Sequence, residues 1–235
     1  MDHTRPILLL TRPEAASRRF REEFFNRFGT GWHVIVSPLI RIAYLDPALP
    51  DDLPRDIVFT SENAVRSFAR LTRDRSARAW CVGEHTAAVA EAEGFRARSG
   101  PGDAATLGRK MIAEDSLRRV LYPRPVHAAG CLAESLDFAG IETISLVTYD
   151  QEEMPPDREA ILAIAGEIPV LLPLFSPRSA RLAGRAFAAA NAPLLTASIS
   201  SAVDAAFPLI AVRRVVAAEM TAKGVCDAIG RLIRS

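Results

Sequence analysis

The sequence contains few of the residues that staple a small fold or hold a metal. Its three cysteines are far apart and form no C-x-x-C pair: they are Cys81, Cys131 and Cys226. An odd number of widely separated cysteines argues against a disulfide framework and against a structural zinc site, so we expect reduced thiols. A chain of 235 residues buries enough surface to fold without cross-links, as one large domain or two smaller ones.

Several catalytic and ligand-binding motifs are also missing. There is no phosphate loop of the GxxxxGK type and no GxSxG motif. The four histidines show no metal-ligand spacing and are expected at the surface: His3, His33, His85 and His127. GPGDAA at 100–105 resembles a dinucleotide fingerprint, but FRARS before it is a poor buried strand and no acidic residue ends the next strand. We therefore do not expect nucleotide binding.

The chain has neither a long apolar run nor a strong charge of one sign. No apolar stretch is long enough to cross a bilayer, and the N-terminal MDHTRPILLLTRP is too short an apolar run for a signal peptide. The 29 Lys and Arg nearly balance the 28 Asp and Glu, so no broad positive field attracts nucleic acid or a membrane. We expect a soluble cytoplasmic protein that binds any anion through local groups.

Short Val-, Ile- and Leu-rich runs alternate with Ala-, Leu- and Arg-rich segments of helical period. This alternation is typical of parallel sheet with crossover helices, and two of the helices are expected to end at Gly94 and Gly140. The predicted strands lie near 7–11, 33–37, 40–44, 56–60, 79–83, 95–98, 119–123, 143–149, 169–175, 195–199 and 213–218.

The chain also resembles itself. LLLTRPEA is similar to VLYPRPVH, VFTSENA to LFSPRSA and, more loosely, CVGEHTAAVAEA to SISSAVDAA. Two similar α/β units explain these pairs, although a general likeness of all βα proteins is the alternative. The Pro-rich and acidic stretches at 44–56 and 149–158 are interpreted as linkers or exposed loops. If they cross between units, one unit holds both chain ends.

Polar residues follow several of these strands. Pro177 favours the first helical position, so Ser176 is predicted as an N-cap. By the internal match Thr60 is predicted to cap the earlier helix, with its hydroxyl accepting from an amide near Asn63. Carboxyl ends of parallel strands and helix N-termini are where open α/β sheets bind anions. The clusters therefore predict an anion-binding cleft.

Two alternatives to ligand binding remain open for these residues. Ordinary helix capping explains Thr60, Ser61 and Ser176 equally well. Arg12 and Arg124 each precede a proline and are predicted at strand-to-helix junctions, but they could equally be solvated surface side chains. It is the number of such junctions on two units that favours a ligand.

These segments together resemble the uroporphyrinogen-III synthase family. The resemblance covers nearly the whole chain through LLLTRP, FTSENAV, VGEHTA, the tyrosine closing TISLVTY, FSPRSA and VVAAEMTAKGVCDAI, in this order. It implies an α/β fold of two similar parallel-sheet lobes joined by a two-stranded linker, with the active site in the cleft between them. Lobe one would comprise 1–35 plus 152–235, lobe two 44–143, and the linker strands 36–43 and 144–151.

The resemblance also implies a reaction and its partners. The family cyclises linear hydroxymethylbilane to uroporphyrinogen III in tetrapyrrole biosynthesis, inverting ring D and losing water, without a metal or organic cofactor. A monomer is expected, with transient hand-over of substrate from hydroxymethylbilane synthase. The alternative from another class is a non-catalytic two-lobed receptor for a small anion.

The resemblance assigns candidate residues. Tyr149 matches the family tyrosine proposed to assist departure of water, although it could simply pack on a linker strand. Ser200 stands where the family has glycine and Val203 where it often has threonine, which puts contacts from that loop in doubt; Ser200 or Ser201 could substitute. The substrate-binding candidates are Arg12, Thr60, Ser61, Asn63, Thr86, Arg124, Ser176, Ser179 and Ser200.

Overall fold

The structure, a computed structural model, describes residues 5–100, 102–128 and 131–233, and within them eleven strands alternate with nine helices. The strands are β1 Ile7–Leu10, β2 Val34–Val36, β3 Ile40–Tyr44, β4 Asp56–Phe59, β5 Arg78–Cys81, β6 Arg96–Ser99, β7 Arg119–Pro125, β8 Glu142–Glu153, β9 Val170–Leu174, β10 Leu194–Ser198 and β11 Arg213–Val216. The helices are α1 Glu14–Phe28, α2 Glu62–Leu71, α3 Glu84–Ala92, α4 Ala104–Ile112, α5 Leu132–Phe138, α6 Arg158–Ala165, α7 Pro177–Ala186, α8 Ser201–Ala206 and α9 Ala222–Ile233.

The predicted α/β class is confirmed, and each predicted strand has a counterpart. The 149–158 stretch, interpreted as a linker or an exposed loop, is strand as far as Glu153, where β8 ends, and is irregular only after that. The 44–56 stretch does form an irregular connection between β3 and β4. The predicted glycine stops are also confirmed, since Gly94 and Gly140 follow α3 and α5 with φ of +93° and +83°, values that few other residues adopt.

The chain divides into two compact units. One comprises residues 1–41 and 152–235, and the other comprises 42–151. The first unit therefore takes in both ends of the chain. Strands β3 and β8 are the two segments in which the chain passes from one unit to the other.

The sheet of the first unit has the strand order β11-β10-β9-β1-β2, and its neighbours are parallel. All four residues of β1 are buried because helices cover both faces of such a sheet. One core cluster joins Leu8 and Leu10 of β1 to Phe20 and Phe24 of α1 and to residues of α9.

The sheet of the second unit has the order β3-β8-β7-β4-β5-β6. Its strands β4 to β8 are parallel. Strand β4 shows why DIVF is apolar throughout, since Ile57 and Phe59 enter a cluster with α2 while Val58 enters a cluster with α4 on the other face.

The chemistry expected of the cysteines agrees with the structure. Each of the three, all within the described residues, is a free thiol, and Cys81 and Cys226 are buried. Burial raises the pKa of both thiols to about 12. Within the same described segments, none of the helices combines the length and apolar character needed to span a bilayer.

Candidate active site

The structure brings the candidate residues together in two groups, one at the carboxyl edge of each sheet. The candidates of the second unit lie after β4 and β5, at the end of β7, and on β8 opposite that end; they are Thr60, Ser61, Asn63, Thr86, Arg124 and Tyr149. In the first unit, the segments after β1, β9 and β10 carry Arg12, Ser176, Ser179 and Ser200. Because the strands within each group are parallel, their ends lie at one edge of the sheet.

Ser61, not Thr60, caps helix α2, so that prediction was wrong. Ser61 has extended φ and ψ of −162° and 159°, and its Oγ accepts from the amide of Ala64 at 3.2 Å. Ser176 caps α7 as predicted, accepting from the amide of Ser179 at 3.1 Å. Each cap lies two residues beyond the end of its strand. The true internal match therefore pairs Ser61 with Ser176 and Thr60 with Phe175.

The remaining serines and Thr86 occupy the first turns of their helices. The Ser179 hydroxyl donates to the carbonyl of Ser176 at 3.0 Å and is buried. Ser200 caps α8 weakly, with its Oγ 3.4 Å from the amide of Val203. Gly83 holds the equivalent place before α3 and supplies no side-chain oxygen to its first turn, where the buried Thr86 lies. The first-turn amides of α3 therefore donate no hydrogen bond to a side chain at the N-cap position.

The two arginine candidates have different surroundings. Arg12 lies between β1 and α1, as predicted, and its guanidinium carbon is 3.9 Å from the centre of the Phe175 ring. Arg124 is not at a strand-to-helix junction, because β7 extends through Pro125 and α5 begins only at Leu132. Its guanidinium turns back and donates to the carbonyl of Pro125 at 3.0 Å.

Tyr149 makes the contact that is most informative for chemistry. Its side chain is 2% exposed, and its hydroxyl lies 2.9 Å from Oγ of Ser61. Burial raises the pKa of Tyr149 to about 12, and the hydrogen bond to Ser61 opposes that rise. The Ser61 oxygen also accepts a hydrogen bond from the amide of Ala64. Through Ser61 the phenol is therefore linked to the N-terminus of helix α2, the positive end of its dipole. Tyr149 is thus both a packed core residue and a hydrogen-bonded hydroxyl group.

Within the described residues, no group of three or more His, Cys, Asp or Glu side chains is arranged to hold a metal ion. His33, His85 and His127 are exposed, as expected, and His3 lies outside the described residues. In the GPGDAA segment, Asp103 caps α4 by accepting from the amide of Thr106 at 2.8 Å. A carboxylate therefore already occupies the helix end at which a dinucleotide phosphate would bind.

Comparison with protein families shows to which family this chain belongs. The family model of uroporphyrinogen-III synthase HemD matches residues 28–227. The chain belongs to this family. The alternative of a non-catalytic receptor gains no support from the comparisons. Members are cofactor-independent cyclases of tetrapyrrole biosynthesis that act on hydroxymethylbilane.

Solved structures show the same fold. Uroporphyrinogen-III synthetase from Helicobacter pylori 26695 is similar to this chain with a TM-score of 0.66 and 16% identity, over 97% of this chain and 100% of that one. A mutant uroporphyrinogen III synthase from the extremely thermophilic bacterium Thermus thermophilus is similar with a TM-score of 0.54 and 13% identity, over 98% and 99%. No curated protein matches the chain.

Sequence reasoning missed two residues of this uroporphyrinogen-III synthase family member that adjoin the candidate residues. The ring of Phe175 packs against the Arg12 guanidinium. In the sequence its neighbour Ser176 indicated a helix cap, but no pattern indicated this contact of Phe175. Glu62, in the first turn of α2, lies 3.5 Å from His85 and 3.8 Å from Arg66. An acidic residue just after an N-cap is a common helix-start signal, and here it places a negative charge near Ser61.

We expect the stability of the protein to fall at alkaline pH, in part through Tyr149. Because folding raises the pKa of this phenol from 10.0 to about 12, its stabilising contribution is complete below pH 10 and is lost as the pH rises towards 12. The measurement is urea unfolding from pH 8 upwards in wild type and in Tyr149→Phe. The variant should lose less free energy of unfolding between pH 10 and 12; equal losses would contradict the buried, protonated phenol.

Proposed function

We propose that this chain converts hydroxymethylbilane to uroporphyrinogen III, with the Tyr149–Ser61 pair acting as the acid that assists departure of the substrate hydroxyl. The observation that carries the reaction is the family match over residues 28–227. The observation that supports the acid is the 2.9 Å contact between the two hydroxyls.

The chemistry requires one proton to be given and one to be taken back. The carbon–oxygen bond of the substrate hydroxymethyl group breaks, and the departing oxygen takes a proton from the hydroxyl pair to leave as water. The azafulvene that remains is attacked by a pyrrole carbon, passes through a spirocyclic intermediate, and closes with ring D inverted. The pyrrole carbon then loses a proton, which restores the acid, so the net change is ring closure and release of one water.

The surroundings of Tyr149 suit a group that is neutral before reaction. With a pKa of about 12, the phenol keeps its proton at neutral pH until the leaving oxygen needs it. Ser61 then donates to the phenolate oxygen, and the N-terminus of α2 adds a favourable dipole. Ser61 is the less buried partner, so the proton also has a direct route to the substrate through its hydroxyl.

The rest of the site is proposed to bind and fold the flexible substrate, because ring closure at the inverted position depends on holding one conformation. The amides at the start of α2, α3 and α7 are suited to the substrate carboxylates. Arg12, supported by Phe175, adds a fixed positive charge. Thr60, Asn63, Thr86, Ser179, Ser200 and Arg124 remain candidates for the same task.

The place of action is part of the proposal. We propose a cytoplasmic monomer that receives hydroxymethylbilane from its synthase by transient hand-over.

The test is the product isomer. The protein is incubated with hydroxymethylbilane that its synthase generates in the same tube, and the oxidised products are separated. We expect isomer III in excess over the isomer I that forms spontaneously. Isomer I alone, at the rate of a protein-free control, would overturn the proposed activity.

A further inference from the structure

Strand β8 has an irregularity next to Tyr149. Side chains alternate between the two faces of a regular strand. Ile144 and Leu146 face the cluster that contains α2, so regular alternation would send Tyr149 to the opposite face. Tyr149 nevertheless belongs to the same cluster as Leu146. The strand therefore contains one more residue before Tyr149 than regular alternation allows.

A β-bulge at Thr148 accounts for that one residue. Val147 pairs with Arg124 and Tyr149 pairs with Pro125, and the register shift between the two pairs skips Thr148. One extra residue in a strand turns the following side chain to the other face, and bulges near active sites commonly re-aim a side chain in this way. The bulge is therefore what directs the Tyr149 hydroxyl towards Ser61.

The partner strand favours an irregularity here. Pro125 has no N–H and cannot donate to the ladder, so regular pairing ends at this position. The next amide, that of Val126, donates to the carbonyl of Tyr149 at 3.0 Å. Proline thus permits the bulge, but it does not fix where the extra residue points.

A buried pair of hydroxyls fixes the extra residue. Oγ1 of Thr148 lies 2.7 Å from Oγ of Ser67 on α2, and the two residues are 0% and 1% exposed. The Ser67 hydroxyl donates to the carbonyl of Ala64 at 3.1 Å, so its single proton is used there and Thr148 is the donor to Ser67. The carbonyl of Thr148 also accepts from the amide of Leu45 at 2.9 Å.

We propose that Thr148 and Ser67 are positioning residues for Tyr149, because their hydrogen bond holds the bulge that points the phenol at Ser61. The inference rests on the proposed function of Tyr149 as the acid. Helix α2 and strand β8 are joined at two points, Ser67 to Thr148 and Ser61 to Tyr149, six residues apart on the helix. The first contact touches no reacting atom and acts through the second.

The kinetic test uses Thr148→Val, which keeps the branched shape and removes the hydroxyl. We expect kcat to fall about tenfold, since small misplacements of a catalytic group are costly, with little change in KM. Ser67→Ala should also lower kcat with little change in KM, and Thr148→Ser, which keeps a hydroxyl, should retain most of the wild-type rate. Thr143→Val is the matched control, because it removes a hydroxyl from the same strand that donates to the nearby carbonyl of Ile141 and not to α2; it should stay near the wild-type rate.

Two further measurements separate positioning from a general loss of structure. In a Tyr149→Phe background, Thr148→Val should have no further effect on kcat, because its effect passes through the phenol; multiplied losses would overturn the proposal. Carbon-13 labelling of the three tyrosines gives a ring signal for Tyr149, assigned by its absence in Tyr149→Phe. That signal should move in Thr148→Val and not in Thr143→Val.

The ring signal keeps this inference distinct from the proposed function. If Tyr149→Phe retains full activity, the acid role of Tyr149 is wrong, and the ring signal still shows whether Thr148 holds the phenol in place. A Tyr149 signal unmoved in both Thr148→Val and Ser67→Ala, in folded protein, would overturn the positioning role even if the acid role stands.

Discussion

Replacing Tyr149 with Phe is expected to lower kcat for hydroxymethylbilane by about 10²–10⁴-fold, the range that follows loss of a general acid. Phe keeps the ring in its buried cluster with Leu146 and removes only the hydroxyl that faces Ser61. Binding of the carboxylates does not involve this hydroxyl in the proposed mechanism, so KM should change little. The product that still forms should remain isomer III, because positioning of the substrate is unchanged.

The measurement is initial rate with separation of the isomers, corrected for spontaneous closure. Tyr44→Phe is the matched control, since it removes a phenol hydroxyl from β3 and keeps the ring face on which Arg70 lies, 5.0 Å from the ring centre. It should keep the wild-type rate. Wild-type kcat in Tyr149→Phe would remove the residue from the mechanism, and a switch to isomer I would assign it to positioning the substrate instead.

Strand positions were predictable from sequence because buried parallel strands are short and apolar, as DIVF and ILLL show. One cap was also predictable, because proline is favoured at the first position of a helix, and Pro177 there makes Ser176 the N-cap. The other was not, because Thr60 and Ser61 are both good caps and no proline distinguishes them. The internal match aligned Thr60, and not Ser61, with Ser176, which led to the wrong prediction of the cap.

The contacts of Arg124 and Tyr149 depend on three-dimensional pairing that sequence spacing does not contain. VLYPRPVH looked like a strand followed at once by a helix, but the chain continues as strand through Pro125. The Ser61 contact of Tyr149 depends on a bulge, and a bulge changes which face a side chain occupies without any local composition signal. Pro125 was the only available hint, and it lies on the partner strand.

Asp56→Ala is expected to lower the free energy of unfolding by about 1–3 kcal/mol, the range for leaving a buried donor without its hydrogen-bond partner. Asp56 is 5% exposed at the start of β4. One oxygen accepts from the indole N–H of Trp80 at 2.9 Å and the other from Arg78 at 2.8 Å. Alanine would leave the indole N–H without its partner inside the core, where water does not replace it.

The measurement is urea unfolding at neutral pH, with the midpoint moving and the slope unchanged. Asp52→Ala is the matched control, because Asp52 pairs with Arg119 at 2.6 Å but is 86% exposed, and exposed ion pairs contribute little to stability. Equal losses of unfolding free energy in the two variants would contradict the structural role of the buried Asp56 carboxylate. Since β4 leads directly into Ser61, a weakened start of this strand should also lower activity at temperatures near unfolding, in step with the folded fraction and with no change of product isomer.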